Sequence, residues 1–278
     1  MELSWIGCLL YGLLGGFSQF LPISEDATGM LFAQLNGAGN VGPAVKFAVH
    51  LGVLAALCFQ YWPQLARLNR ERRIAAIPPR KRKRQPDAIT LMDFRLLKTA
   101  AIPLLLLSLG RFFLKPYLST LWIIAIAFLL NGIIIYVTEH RPRSTKDARN
   151  LSRVDGILLG ASGVAAGIPG FSAVAAMLCT SHTRGVQRQY GLQTVMLLML
   201  PLVLLLLIFD LVGMIAGGLA WLSFVSVLSL LGAALLAALS GYFGIMLMRF
   251  LAFRVGYTAF AFCSWGLALF TFILFLMI

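Results

Sequence analysis

Apolar residues along this chain fall into blocks of two lengths. Six are long: Pro43 to Trp62, Phe94 to Leu114, Leu118 to Thr138, Gln189 to Leu211, Leu219 to Met248 and Val255 to Ile278. A helix needs about 20 apolar residues to cross a hydrocarbon core, so each is predicted to span a membrane. Two other regions are interrupted. Trp5 to Phe20 is apolar, Leu21-Pro22-Ile23-Ser24-Glu25-Asp26 breaks it, and a weak apolar stretch from Met30 fades near Leu35. The second is Gly160 to Gly167, then Ile168-Pro169-Gly170-Phe171-Ser172, then Ala173 to Cys179. Each half is too short to span. The pattern predicts two helical hairpins, over 5–36 and 155–182, that enter the membrane and return to the side they left. Backbone broken at that depth is tolerated only when buried in protein or lining a wet cavity.

The two broken segments carry the same order of features: small residues, a proline turn, then a serine. Such corresponding interruptions in two halves point to a midplane site between inverted repeats. The expected organisation is one all-α polytopic membrane domain, 1–278, with a first repeat over 1–117 and a second over 118–278. The site is expected between Pro22 and Thr28 on one side and Pro169 and Ser172 on the other.

Composition agrees with a membrane protein: 60% of residues are hydrophobic, 12% are charged, and the mean hydropathy is +0.88. The net charge of +13 would suggest nucleic acid in a soluble chain, but cytoplasmic loops of membrane proteins are themselves rich in Lys and Arg. No aromatic residues interleave the charges, so no nucleic-acid partner is expected. The cysteines, Cys8, Cys58, Cys179 and Cys263, lie far apart in apolar segments and read as buried hydrophobes. Glu2, without a basic n-region or a small-residue cleavage site, argues against a removable signal peptide.

Charge also orients the chain. Loops at 64–98, 139–153, 182–188 and 249–254 share one side and hold 20 of the 23 Lys and Arg; only Lys46, Arg111 and Lys115 lie elsewhere. The positive-inside rule makes that side cytoplasmic and puts both termini outside. The segment 64–93 is expected to be a basic cytoplasmic loop. Its block Arg80-Lys81-Arg82-Lys83-Arg84 sets topology and is a candidate contact for anionic lipid head groups.

Two adjacent carboxylates inside a membrane segment mark function by default, so Ser24, Glu25 and Asp26 are the candidate catalytic residues. Asn131 and Ser162 are expected to hydrogen-bond between helices. His50 is expected to be a satisfied core histidine, and Asp210 an unremarkable outer-end residue. Gly213, Gly217, Gly218, Gly232, Gly241 and Gly244 predict close helix packing.

At the two hairpins the chain resembles the bacterial undecaprenyl-pyrophosphate phosphatase family. The residues carrying the resemblance are Gly16, Phe20-Leu21-Pro22-Ile23-Ser24, Thr28-Gly29, Leu51-Gly52, Ile168-Pro169-Gly170-Phe171-Ser172, Gly185-Val186, Arg188 and Pro201. It implies a membrane enzyme acting on the C55 lipid carrier of cell-wall synthesis, in the bacterial cytoplasmic (inner) membrane. The departures fall on the chemistry. Gly15 and Gln19 stand where the family carries two glutamates, and Glu25 follows Ser24 where it carries a second serine. Asp26 and Ala27 look inserted, Met30 replaces a histidine, and Ala173 replaces the arginine expected to hold phosphate. Gln193 and Ser264 replace a Glu and an Arg.

The resemblance therefore implies ligand-binding residues Gln19, Ser24, Glu25, Asp26, Thr28, Ser172, Arg184 and Arg188 around a polyprenyl phosphate or pyrophosphate. Phosphoryl transfer depends on positive charge placed against the phosphate oxygens, and alanine supplies none. The leading expectation is a carrier-lipid binder or translocase that does not hydrolyse. The alternatives are an undecaprenyl-diphosphatase rebuilt around Glu25, Asp26 and Arg184 or Arg188, and a non-catalytic envelope-assembly partner. No cofactor is firmly implied. An active enzyme would call for Ca²⁺ or Mg²⁺, with Glu25 and Asp26 as candidate ligands. Association into a homo-oligomer is a further expectation.

Overall fold

A computed structural model describes residues 3–110, 117–142, 145–147, 149–217 and 224–277. The described residues contain ten α-helices: α1 Trp5–Ser18, α2 Glu25–Leu35, α3 Pro43–Ala76, α4 Ala88–Ser108, α5 Leu121–Glu139, α6 Arg153–Ser162, α7 Ala173–Thr183, α8 Arg188–Ala216, α9 Phe224–Arg254 and α10 Thr258–Met277. A 3-10 turn at Gly163–Gly167 extends α6. Five helices, α3, α5, α8, α9 and α10, are long and apolar enough to cross a membrane. The chain is an all-α multi-pass membrane protein. Large apolar side chains such as Phe59, Leu106, Ile208, Leu235 and Leu269 face outward, which suits lipid rather than water.

The expected sixth span is α4. It carries Asp93, Arg95 and Lys98 in its first three turns, which lower its apolarity below that of the other five. The last residues expected in it, 111–114, lie outside the described residues, as do Arg111, Lys115, Gly218 and the start of the span expected from Leu219.

The basic loop is shorter than expected. Instead of ending near Trp62, α3 continues to Ala76 through Pro63, so its last turns carry Arg67, Arg70, Arg72 and Arg73. Only 77–87 separates it from α4. Within that connection Arg82 donates to the carbonyls of Ala75 and Ile77 at 2.6 Å each, closing the end of α3. Arg84 pairs with the buried Glu71. Two of the five residues proposed to meet lipid head groups thus terminate a helix and neutralise an acid.

α1 lies along α9, α3 runs between α9 and α8, α4 lies along α6 and α8, and α10 lies along α5. Glycine permits the closest crossing. A Cβ on Gly12 would lie 2.5 Å from the Ala233 carbonyl oxygen, and one on Gly16 would lie 2.4 Å from that of Ala237. Facing them, Gly241 and Gly244 on α9 approach the Gly16 and Phe17 backbone. The glycines of α9 pack as the sequence predicts.

Candidate functional site

The two proline turns are built alike and meet. Ser24 caps α2 by accepting from the Ala27 N–H at 3.4 Å, and Ser172 caps α7 by accepting from the Ala175 N–H at 3.2 Å. Each helix has 11 residues. Each cap serine also bonds the backbone of the other turn. Ser24 Oγ accepts from the Gly170 N–H at 3.0 Å, and Ser172 Oγ donates to the Leu21 carbonyl at 3.1 Å. Asn131 on α5 fastens the junction. Its amide donates to the Pro22 carbonyl and to Ser264 Oγ, each at 3.0 Å, and its Oδ1 accepts from the Ser172 N–H at 3.1 Å. Asn131 bonds across helices as expected. Ser162 does not: it donates to Leu159 in its own helix.

A partly open pocket of about 30 Å³ lies at the junction, and Gln19, Ser24, Glu25, Asp26, Ser172 and Ala173 are among the residues lining it. The structure thus assembles five of the residues expected from the sequence: Gln19, Ser24, Glu25, Asp26 and Ser172. Thr28 is turned away, donating to the Glu25 carbonyl at 2.9 Å and contacting Ser18 Oγ at 3.5 Å. Arg184 and Arg188 are not brought to this cavity. Arg184 joins Asp155 at 2.5 Å, tying the open end of the second hairpin. Arg188 joins Glu139 at 2.7 Å with its guanidinium over the Tyr257 ring. Both lie at the basic end of the bundle because they precede or begin α8, which must run most of its length before reaching the outer end.

The charges that do meet the two carboxylates come from residues whose role the sequence left hidden. Lys46, in the first turn of α3, puts its Nζ 3.5 Å from Asp26 Oδ1, both side chains being under 10% exposed. His50, one turn further along, directs Nε2 at Glu25 Oε2 across 3.9 Å and binds Asp210 of α8 through Nδ1 at 2.5 Å. The Tyr11 hydroxyl donates to Glu25 Oε1 at 2.5 Å. Gly29 leaves room for this phenol, since a Cβ there would lie 2.9 Å from its oxygen. His50 is therefore an intersection of two acids rather than an ordinary core histidine, and Asp210 is its partner rather than a bystander. A signal existed: Lys46 and His50 stand four residues apart on one helical face, and Asp210 interrupts an apolar span, where ionisable groups are rare.

Placement in the first turn of α2 favours Glu25 and Asp26, because the N-terminal end of the helix dipole is positive. Summed formally, the three carboxylates give −3, Lys46 gives +1 and His50 gives +1 or 0. The cluster is therefore −1 or −2.

Divalent metal does not fit this donor set. Glu25 is turned to Tyr11 and His50, and Asp26 faces an ammonium. Among the described residues no group of three or more His, Cys, Asp or Glu is arranged to hold an ion. Nor could a glutamate return at position 15 without movement, as a Cβ on Gly15 would lie 2.9 Å from Val49 Cγ1. Gln19 keeps its Oε1 buried in the cavity without a hydrogen-bond partner.

Comparison with known proteins gives one family. The model of the bacitracin resistance protein BacA matches residues 8–270. A Micrococcus luteus protein named undecaprenyl-diphosphatase is 30% identical over 198 residues, covering 68% of this chain and 69% of the relative. One from Renibacterium salmoninarum with the same name is 28% identical, covering 73% and 71%. A third, from a Nostoc species, is 26% identical, covering 79% and 68%.

Proposed function

The chain belongs to the bacitracin resistance protein BacA family, and from that premise we propose that it handles the head group of a polyprenyl phosphate or pyrophosphate carrier lipid where its two hairpin turns meet, without hydrolysing it. The name shared by the relatives supports the lipid. Two serine-capped helix N-termini converge on the cavity, and such termini attract phosphate. The first turn of α7 carries no acid, so that terminus offers its dipole to an anion unopposed.

The observation that carries the non-hydrolytic part is the charge at the cavity. Ala173 stands where the resemblance expects an arginine, Lys46 and His50 are committed to Asp26 and Asp210, and the cluster is net negative. An anionic transition state finds no surplus positive charge there. The pocket, with room of about 30 Å³ for water-sized groups, is narrow at the junction itself. The reciprocal serine bonds favour reading the hairpins as re-entrant members of an inverted repeat. So does the packing, in which α1 lies on α9 while α6 lies on α4. That architecture suits movement of a head group across the bilayer. The chain then resides in a bacterial inner membrane with its basic end cytoplasmic and both termini outside.

A second reading, hydrolysis of undecaprenyl pyrophosphate at a rebuilt site, is favoured by the name of the relatives. Phosphate release from undecaprenyl pyrophosphate by the purified full chain, with and without Mg²⁺ or Ca²⁺, separates the two. The proposal expects no release alongside measurable binding of undecaprenyl phosphate. Release that disappears in Ser24→Ala or Glu25→Gln would overturn it and establish the enzyme.

A further inference from the structure

The groups around Glu25 form a continuous line from Asp210, the most exposed of them, through the buried His50 to the cavity. The Asp210 side chain is 14% exposed, His50 is 2% exposed, and Glu25, 7% exposed, lines the cavity itself. His50 touches both acids, binding Asp210 with Nδ1 while Nε2 lies 3.9 Å from Glu25 Oε2. That Nε2 has no hydrogen-bond partner and is buried. A neutral ring that accepts at Nδ1 would set two acceptors against each other unless Asp210 held the proton. A neutral ring that donates from Nδ1 satisfies Asp210 and leaves the Nε2 lone pair facing Glu25 Oε2, and a proton on Nε2 would turn that contact of two acceptors into an attraction.

We propose that the Asp210–His50–Glu25 line is a proton site, and that it takes up one proton when a phosphate group enters the neighbouring cavity. The proposal rests on the cavity being a phosphate site, as argued above. The driving force is electrostatic. With His50 neutral, the cluster holds three carboxylates against Lys46, a net −2, and an incoming phosphate adds at least one more negative charge. In a buried setting like charges a few ångströms apart repel more strongly than in water, and a proton on the imidazole relieves this directly. The proton comes from solvent by way of Asp210, forming one N–H bond on His50 while the bulk buffer loses one proton.

Groups facing His50 are few. On its own helix there is Lys46, which is turned to Asp26 of α2. Glu25 faces it from α2, with Tyr11 of α1 on the far oxygen of that carboxylate. Asp210 faces it from α8. At the neighbouring level of α3, α9 presents Ala234 and Ala238, which crowd Gly52, and its arginines, Arg249 and Arg254, lie in its last turns. The charges of α4, Asp93, Arg95 and Lys98, are near the opposite end of α3, where Asp87 and Thr90 hold Arg67.

The test is calorimetric titration of the full chain in detergent micelles at pH 7, run in HEPES and in Tris, whose ionisation enthalpies differ. The difference in apparent enthalpy counts protons taken up. Undecaprenyl phosphate and inorganic phosphate are titrated separately, which distinguishes a lipid head group from free phosphate. His50→Gln and Asp210→Asn are compared with wild type, so that protons bound by the ligand itself cancel. Wild type is expected to take up about one more proton than either variant, and its affinity to rise by up to tenfold per unit fall in pH where the variants respond less. Should one variant not fold, the other and the wild-type pH dependence still decide. Equal proton uptake in wild type and a folded variant, with binding intact, would overturn the proton site alone. No binding of either phosphate by wild type would overturn the phosphate site and this proposal with it.

Discussion

Lys46→Met tests the charge cluster most directly. The change keeps the length and the apolar stem of the side chain and removes the ammonium, leaving Asp26 beside Glu25 without its cation. At the observed 3.5 Å, Coulomb's law with an effective dielectric near 20 gives an attraction of roughly 5 kcal/mol. Breaking a buried pair from one side typically costs about 3–5 kcal/mol, whereas replacing both members with apolar groups is often close to neutral. The expected cost of Lys46→Met is therefore about 4 kcal/mol. Asp26→Asn alone should cost less, since the asparagine carbonyl still accepts from Lys46. The double variant should recover at least half of the Lys46→Met loss. Unfolding followed in detergent by tryptophan fluorescence reads this, with a drop in midpoint of about 10 °C for the single lysine change at 2–4 °C per kcal/mol. A double-mutant cycle supplies the coupling. If Lys46→Met costs under about 1 kcal/mol, or the cycle gives no coupling, Lys46 is not the counter-ion of the acidic pair and the charge argument against hydrolysis fails with it.

Other expectations follow from single residues. Asn131→Ala leaves the Pro22 carbonyl and the Ser172 N–H buried without their partner, so it should cost about 3 kcal/mol, read in the same unfolding assay; a neutral effect would mean the turns do not depend on this bridge. Gly170→Ala should be at least as damaging. Its φ is +100°, and a Cβ would lie 2.6 Å from the Ala127 Cβ, so strain and overlap together should exceed about 2 kcal/mol. Burial alone would raise the Asp155 carboxyl, but hydrogen bonds from the Ser152 backbone, from Arg184 and from the Ser152 hydroxyl outweigh it and hold it below the ordinary carboxylate range. A lowered folded-state value contributes stability that is present above the unfolded pKa of about 4 and lost as pH falls through the folded value. The stability gap between wild type and Arg184→Ala should therefore be full at pH 7 and narrow below about pH 4; a gap unchanged down to pH 3 would contradict the assignment. For transport, liposomes carrying the Glu25→Gln, Asp26→Asn double variant should lose translocation of undecaprenyl phosphate while the protein stays folded, and normal translocation would remove the coupling role of these acids.

Hydropathy and small-residue patterning were enough to determine the class of the protein and the location of its two broken segments. Apolar runs near 20 residues must become helices in lipid, because backbone polar groups find no other partners there. Proline followed by serine marks a turn, so the start of α7 at Ala173 was legible, whereas α2 begins at Glu25, five residues before the apolar stretch from Met30, because its first turn is acidic. The extent of α3 was not legible either. Its last turns are charged, and hydropathy reads charge as loop although a helix can leave the bilayer and continue in water. The site was half legible. Ser24, Glu25, Asp26, Gln19 and Ser172 are near one another in sequence or in matching turns, so local pattern found them. Tyr11, Lys46, His50 and Asp210 come from three further helices, and which faces turn together depends on the helix crossings set by Gly12, Gly16 and Gly241. Arg184 and Arg188 show the converse: sequence proximity to the second hairpin suggested the site, but α7 carries them some 16 Å along its axis, at 1.5 Å per residue, to the other end of the bundle. Sequence determines what each helix presents; only the packing decides which charges must answer one another, because a buried charge is balanced by whatever the fold brings within a few ångströms.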